Sequence, residues 1–204
     1  MYVKNNLLFD NGGTQIRYEH TDNSWANNNP LYLIIHYTAG ISMSGAINHF
    51  KTRYQRGNAS AHIIVDKDGT VVQMVKFNRK AWHAGISNWG EINGLNHYSI
   101  GIELVNAGKL EKTDSGDWIN WSGKNISSNE VIIRPHKNDK YQVHYGWQMY
   151  TNEQIESLIE VSNALNDRYN FIDILGHDDI SPGRKIDPGP AFNMISFRSI
   201  VLGR

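Results

Sequence analysis

Two histidines of this chain stand directly behind apolar runs that read as strands: His36 follows Leu33-Ile34-Ile35, and His177 follows Ile174-Leu175-Gly176. The end of a strand is a rigid platform that holds a side chain in one orientation, which is what a metal ligand needs. Ten residues after His177 comes Asp187, inside the stretch from Gly176 to Pro190, where three prolines and three glycines among fifteen residues rule out an ordinary helix or strand. Two neutral imidazoles and one carboxylate, with a fourth tetrahedral position left for water, form the ligand set of a catalytic zinc site. The same residues also admit a structural reading, in which the histidines are held by hydrogen bonds and the loop is a rigid connection wrapping the sheet. Spacing alone leaves both open.

What is missing narrows the chemistry. The 204 residues include no cysteine, which removes a thiol nucleophile, a disulfide framework and any Cys-type zinc site, so a metal has to be held by histidine and carboxylate. No His-Glu-x-x-His stretch is present, against a helix-based metalloprotease, and no Gly-x-Ser-x-Gly elbow, against a serine hydrolase. Lys+Arg and Asp+Glu number 20 each, so the net charge is zero, nothing attracts a phosphate backbone broadly, and no nucleic-acid partner is expected. The 20% charged and 40% hydrophobic fractions are those of a folded chain. Apolar runs such as Leu31 to Ile35 are far shorter than a membrane span, and no transmembrane segment is expected. Met1 to Asp10 shows no signal-peptide core, so the expected compartment is the cytoplasm or, by another export route, the periplasm or cell wall.

The elements that must position these residues follow from periodicity. One domain over 1–204 is expected, with its core at about 30–106 and 150–195. Residues 31–36 read as a buried strand. A helix from Ser42 or Ser44, with Ala46, Ile47 and Phe50 on one side, runs to a break at Gly57-Asn58. Ala61 to Val75 reads as a hairpin turned at Asp68-Gly69, and Ser99 to Asn106 as another strand in which Gly101 permits close backbone approach. Thr151-Asn152-Glu153-Gln154 is a capping-box pattern opening a helix with Ile155, Leu158, Ile159, Ser162 and Leu165 at helical spacing. Phe171 to Leu175 reads as a strand, and the tail from Ala191 as a short helix. The interleaving points to an α/β or α+β fold, a single mixed central sheet flanked by helices.

Five segments carry a resemblance: Ile34-Ile35-His36-Tyr37-Thr38-Ala39; Ser60-Ala61-His62; Ala81-Trp82-His83-Ala84-Gly85; Ser99-Ile100-Gly101-Ile102-Glu103-Leu104-Val105-Asn106; and Gly176-His177 through Gly189-Pro190. In this order they resemble the zinc-dependent N-acetylmuramoyl-L-alanine amidases, among them the bacterial anhydro-muropeptide amidases, with phage T7 lysozyme and the peptidoglycan recognition proteins as relatives. The resemblance implies one zinc ion at one end of a mixed sheet. It also implies cleavage of the amide joining the lactyl group of N-acetylmuramic acid to L-alanine, in peptidoglycan or a muropeptide. Matched position by position, it implies His36, His177 and Asp187 as zinc ligands, Glu103 as general base and Lys185 as the cation beside the metal. Phage and animal members have cysteine as third ligand; Asp187 matches the bacterial branch. Without the resemblance, Glu103 reads as a solvent-facing strand residue and Lys185 as an exposed loop cation. A non-catalytic peptidoglycan-binding module of the same fold is the rival, and the filled ligand positions argue against it.

Trp82, His83 and His62 read either as substrate-binding residues of the cleft or as packing. Tyr37 alternates to the face opposite His36 and is expected in the core. His20, His49, His97, His136 and His144 sit in no motif and are expected at the surface. The stretch 107–149 is polar, without a clear period, and reads as a long insertion-like loop. Trp118, Trp121, Tyr141, Tyr145, Trp147 and, just after it, Tyr150 either stack on sugar rings at the cleft or anchor the loop.

Overall fold

A computed structural model of the chain describes residues 1–53 and 58–204. In chain order the main elements are β1 (Tyr32–Tyr37), α1 (Met43–Lys51), β2 (Ile63–Val65), β3 (Val71–Gln73), β4 (Ser99–Leu104), β5 (Lys109–Lys112), β6 (Trp118–Ile119), β7 (Asn125–Ile126), β8 (Val131–Pro135), β9 (His144–Gln148), α2 (Asn152–Tyr169), β10 (Asp173–Gly176), α3 (His177–Ile180) and α4 (Met194–Leu202).

The central sheet has the order β10-β1-β4-β2-β3. Its first four strands run parallel, and β3 returns antiparallel through the Asp68-Gly69 turn, where Gly69 takes a φ of +83°. Parallel strands are covered on both faces, and their apolar runs are near-continuous for that reason. One face carries Leu33, Ile35, Ile63, Val65, Ile100, Ile102, Leu104 and Ile174, packed against Leu158, Val161 and Leu165 of α2 and Phe197 and Val201 of α4. Leu8, from an N-terminal ribbon ahead of the expected core, is fully buried in this layer. On the other face Ile64 and Val72 meet Met43, Ala46, Ile47 and Phe50 of α1, while Ile34 and Leu175 meet Ala84, Leu95 and Ile180. The mixed sheet flanked by helices is therefore the architecture observed.

Helix caps set the element ends. Ser42 accepts from the backbone N–H of Gly45 to start α1, which ends at Lys51; of the expected break at Gly57-Asn58, Gly57 lies outside the described residues. Thr151 caps α2 through Gln154 N–H, but the reciprocal half of the box is replaced. Gln154 instead donates from Nε2 to the carbonyls of Val65 and Val105, at 3.0 and 3.2 Å, tying the helix to the strand ends.

The expectation of a structureless 107–149 loop is corrected. This stretch forms a second five-stranded antiparallel sheet, in the order β7-β6-β5-β9-β8. Its strands are two to five residues long and enclose a small core of Ala107, Leu110 and Ile126, so the buried positions are too sparse to create a period. No helix among the described residues is long and apolar enough to cross a membrane.

Candidate metal centre and its cleft

Parallel β1, β4 and β10 end on the same edge of the sheet, and the chemistry collects there. In register, Glu103 pairs with His36, and Gly176 with Ile35, which places His36, Glu103 and the start of α3 side by side. Asp187 is folded back onto this edge because its carbonyl accepts from Asp178 N–H at 2.9 Å. Nδ1 of His36 and Nδ1 of His177 lie 2.9 Å apart, and each is 2.9 Å from Oδ2 of Asp187. All three side chains are buried.

Hydrogen bonds on the far side of each ring fix which nitrogen faces inward. Ser99 Oγ donates to Leu95 O at 2.6 Å, so it accepts from His83 Nε2 at 3.3 Å; His83 Nδ1 is then a lone pair, and it accepts from His36 Nε2 at 3.0 Å. His177 Nε2 donates to Ala84 O at 3.1 Å. Both histidines thus turn unprotonated Nδ1 atoms toward each other and toward a carboxylate oxygen. Three lone pairs converging in a buried space repel unless a cation sits among them. Tetrahedral zinc, with bonds of about 2.0–2.1 Å, spaces its donors about 3.3 Å apart, so the triangle needs only a small expansion. The donor set fits a small divalent ion, and the outer acceptors that orient each imidazole are those a metal site uses.

Electrostatics agree. Burial, with the neighbouring His177, pushes His36 down to about 4, leaving a neutral ring at pH 7. Burial alone would raise Asp187, but the His177 and His36 rings beside it outweigh this and hold the carboxyl well below its usual range, so it faces the triangle as a carboxylate. Glu103 is buried, its Oε2 has no partner, and desolvation together with Asp187 pushes it up to about 8, against the opposing charge of Lys185. An unpartnered buried carboxylate beside a convergent donor set is the arrangement of a poised acid or base. Both Glu103 and half-buried Lys185 line a cavity of about 690 Å³ that also opens on His177, Asp187, Trp82 and Trp121.

Of the three residues expected to bind substrate, Trp82 lines this cavity, with Lys80 Nζ 4.2 Å from its ring centroid. His83 also lines it, but its ring is buried and its Nδ1 is committed to accepting from His36 Nε2, which it orients. The expectation for His62 is corrected: it is fully buried, accepting at Nδ1 from Gly101 N–H (3.0 Å) and donating from Nε2 to Arg79 O (2.9 Å), with no atom left for a ligand. Tyr37 is half-buried at the cavity edge. His136, expected at the surface, is buried; His20, His49, His97 and His144 are exposed. The sequence reading passed over Arg184, whose Nη2 donates to Ala84 O, Ile86 O and Ser181 Oγ at 2.9, 2.8 and 2.7 Å and so staples the 84–86 segment to α3. It passed over Asn96 as well, whose Oδ1 accepts from His83 N–H and Ala84 N–H. Neither carries a local signal, because the backbone groups they hold, at residues 83–86, lie at least a dozen residues away in sequence.

Comparison with known proteins agrees with this geometry. The Amidase_2 family, described as N-acetylmuramoyl-L-alanine amidase, matches residues 26–190. The 1,6-anhydro-N-acetylmuramyl-L-alanine amidase AmpD of Citrobacter freundii is 35% identical over 144 residues, 70% of this chain and 57% of that relative, so the match spans less than two thirds of its length. A crystal structure of a Se-Met AmpD derivative superposes with a TM-score of 0.68 at 25% identity, covering 98% of this chain and 99% of that one. AmiD of E. coli, solved with anhydro-N-acetylmuramic acid-L-Ala-D-gamma-Glu-L-Lys as substrate, superposes with a TM-score of 0.60 at 28% identity, covering 84% of this chain and 57% of that one. With a family match running from ahead of the strand that carries His36 to beyond Asp187, this chain belongs to the N-acetylmuramoyl-L-alanine amidase family.

Proposed function

We propose that this chain hydrolyses the amide between the lactyl group of N-acetylmuramic acid and L-alanine, in peptidoglycan or its muropeptide fragments, using one zinc ion held by His36 Nδ1, His177 Nδ1 and Asp187 Oδ2. The observation that carries the reading is the 2.9 Å triangle of inward-facing donors with Glu103, whose buried Oε2 has no partner, beside it. The complexed substrate named for AmiD, an anhydro-muramyl peptide, supports the bond assignment.

Zinc supplies Lewis-acid activation of water and of the amide carbonyl at neutral pH. The chain supplies the rest. Positive charge in the triangle favours the carboxylate form of Glu103 over the neutral form that burial alone selects. Glu103 then takes a proton from the attacking water and returns it to the departing L-alanine amine. Lys185, on the same cavity wall, brings an ammonium to the carbonyl oxygen as negative charge develops there. Ser99, His83 and Ala84 hold the two imidazoles in their tautomers, so no reorientation accompanies the reaction. A binding module would need neither the complete donor triangle nor a buried, unpartnered carboxylate.

The test is elemental analysis of the purified chain combined with mass spectrometry of its products from an anhydro-muropeptide. Zinc near one equivalent and a free peptide beginning with L-alanine are expected. A zinc-loaded chain that leaves this amide intact would overturn the reading.

A further inference from the structure

We propose that Trp121, presented by the second sheet, is a saccharide-stacking residue that forms one wall of the cleft; the inference rests on the function proposed above. Of the aromatics in 107–149 and the adjacent Tyr150, Trp121 is the one that lines the cavity holding Glu103, Lys185, His177 and Asp187, among the described residues. The others are committed elsewhere. Trp147 is buried against Gly189, Trp118 packs over Gly146, Tyr145 lies under Lys109, and Tyr150 donates to Pro188 O. Tyr141 is exposed but does not line the cavity.

Trp121 is 76% exposed yet held in place. It sits on the turn between β6 and β7, where buried Asn120 accepts at Oδ1 from Ser122 N–H, Ser122 Oγ and Lys124 N–H at 3.1, 2.9 and 2.9 Å. Its indole N–H donates to Ala39 O at 2.7 Å, three residues after His36. Ala39 carries a φ of +55°, a left-handed conformation that costs a residue with a Cβ, and it belongs to the turn against which the indole is pinned. A tryptophan kept for packing would be buried. Here the polar atom is already spent inside the protein, so the ring has only its apolar faces to offer a ligand. A pre-ordered face of this kind suits the C–H face of a pyranose ring, and being fixed beforehand reduces the entropy lost on binding. In the proposed substrate the muramic acid ring is separated from the scissile amide by only the lactyl group, so the sugar has to lie against a wall of this same cavity.

The experiment measures binding by calorimetry in the Glu103→Gln background, in which ligand turnover is slowed, with Trp121→Ala and Trp121→Phe added. One ligand is an anhydro-muropeptide; the other is the same peptide carrying a lactoyl group and no sugar. Trp121→Ala should weaken the muropeptide roughly tenfold and the sugar-free ligand by no more than about twofold, while Trp121→Phe, which keeps a ring, falls between. Equal weakening of both ligands, or none for the muropeptide, would overturn the inference. Turnover by the unaltered chain is scored separately. Trp121-dependent binding without amide cleavage would keep the stacking wall and reject the hydrolase reading, whereas cleavage without Trp121 dependence would do the reverse. No muropeptide binding at all would reject both.

Discussion

His136 Nε2 donates to Asp178 Oδ2 at 3.0 Å across 42 residues of sequence, and both side chains are buried. Asn138 N–H donates to the other ring nitrogen, so the tautomer is set. Around the pair, Lys137 Nζ reaches Asp178 Oδ1 and Asp179 Oδ1 at 2.9 and 2.6 Å, and Asn138 Nδ2 donates to Asp178 O. Asp178 follows His177 and donates its own N–H to Asp187 O, so the far end of the second sheet clasps the turn that carries two of the three inward-facing donors. His136→Ala leaves the Asp178 carboxylate short of a partner and should cost roughly 1–3 kcal/mol of stability. It should also ease zinc loss to a chelator, measured by competition titration beside urea unfolding. A stability loss with an unmoved chelator midpoint would show that the clasp is unconnected to the donors.

The donor triangle and Glu103 should separate cleanly on substitution. His36→Ala, His177→Ala and Asp187→Ala each remove one corner and should abolish metal retention and turnover together. Glu103→Gln keeps the triangle, removes the proton carrier, and should reduce turnover by roughly 10²–10⁴ with zinc content unchanged. Near-normal turnover in Glu103→Gln would take the base assignment away from this residue.

His62 gives the fold an acid limit. Burial pushes it down to about 4, against the opposing hydrogen bond to Arg79 O. Between pH 6.5 and 4 the unfolded chain binds a proton at this position and the folded chain does not, so stability falls as pH is lowered through that window. The contribution at stake is about 3 kcal/mol, from a shift of two to three pKa units at 1.36 kcal/mol each. Denaturant midpoints at pH 7, 5.5 and 4.5 should fall steeply in the wild type and less steeply in His62→Gln, whose amide can still accept from Gly101 and donate to Arg79. Equal slopes would place the acid sensitivity in other groups.

Strand ends and a Pro-Gly loop are written locally, in runs of five to fifteen residues, which makes His36, His177 and Asp187 candidates; it is the family resemblance that selects them as a ligand set over the structural reading. What lay beyond reach depends on partners far apart in the chain. His136 reads as a surface residue until Asp178 meets it, and His62 reads as a cleft residue until Gly101 and Arg79 close over it. The second sheet was hidden for a different reason. A strand such as Lys109-Leu110-Glu111-Lys112 buries only Leu110, so its alternation covers too few residues to stand out from a loop. Gly101 reads as a close-approach position, but nothing near it in sequence tells what approaches.

The ring of His83 is what approaches. A Cβ on Gly101 would lie 2.4 Å from His83 Cγ and 2.5 Å from His83 Nδ1, the atom that accepts from His36. Gly101 sits in the middle of β4 with strands paired on both sides, so the backbone cannot retreat and the ring has to move. Gly101→Ala should therefore cost roughly 1–3 kcal/mol of stability through overpacking. By displacing the outer partner of His36, a proposed ligand, it should also weaken zinc binding roughly 10–100-fold, the same loss expected of His83→Ala. The two substitutions act on one contact, so their costs should not add. In the His83→Ala background the new methyl group enters space the imidazole has vacated, and Gly101→Ala should weaken zinc no further. A double variant whose zinc affinity falls by the product of the two single losses would show that Gly101 and His83 act on the metal centre independently.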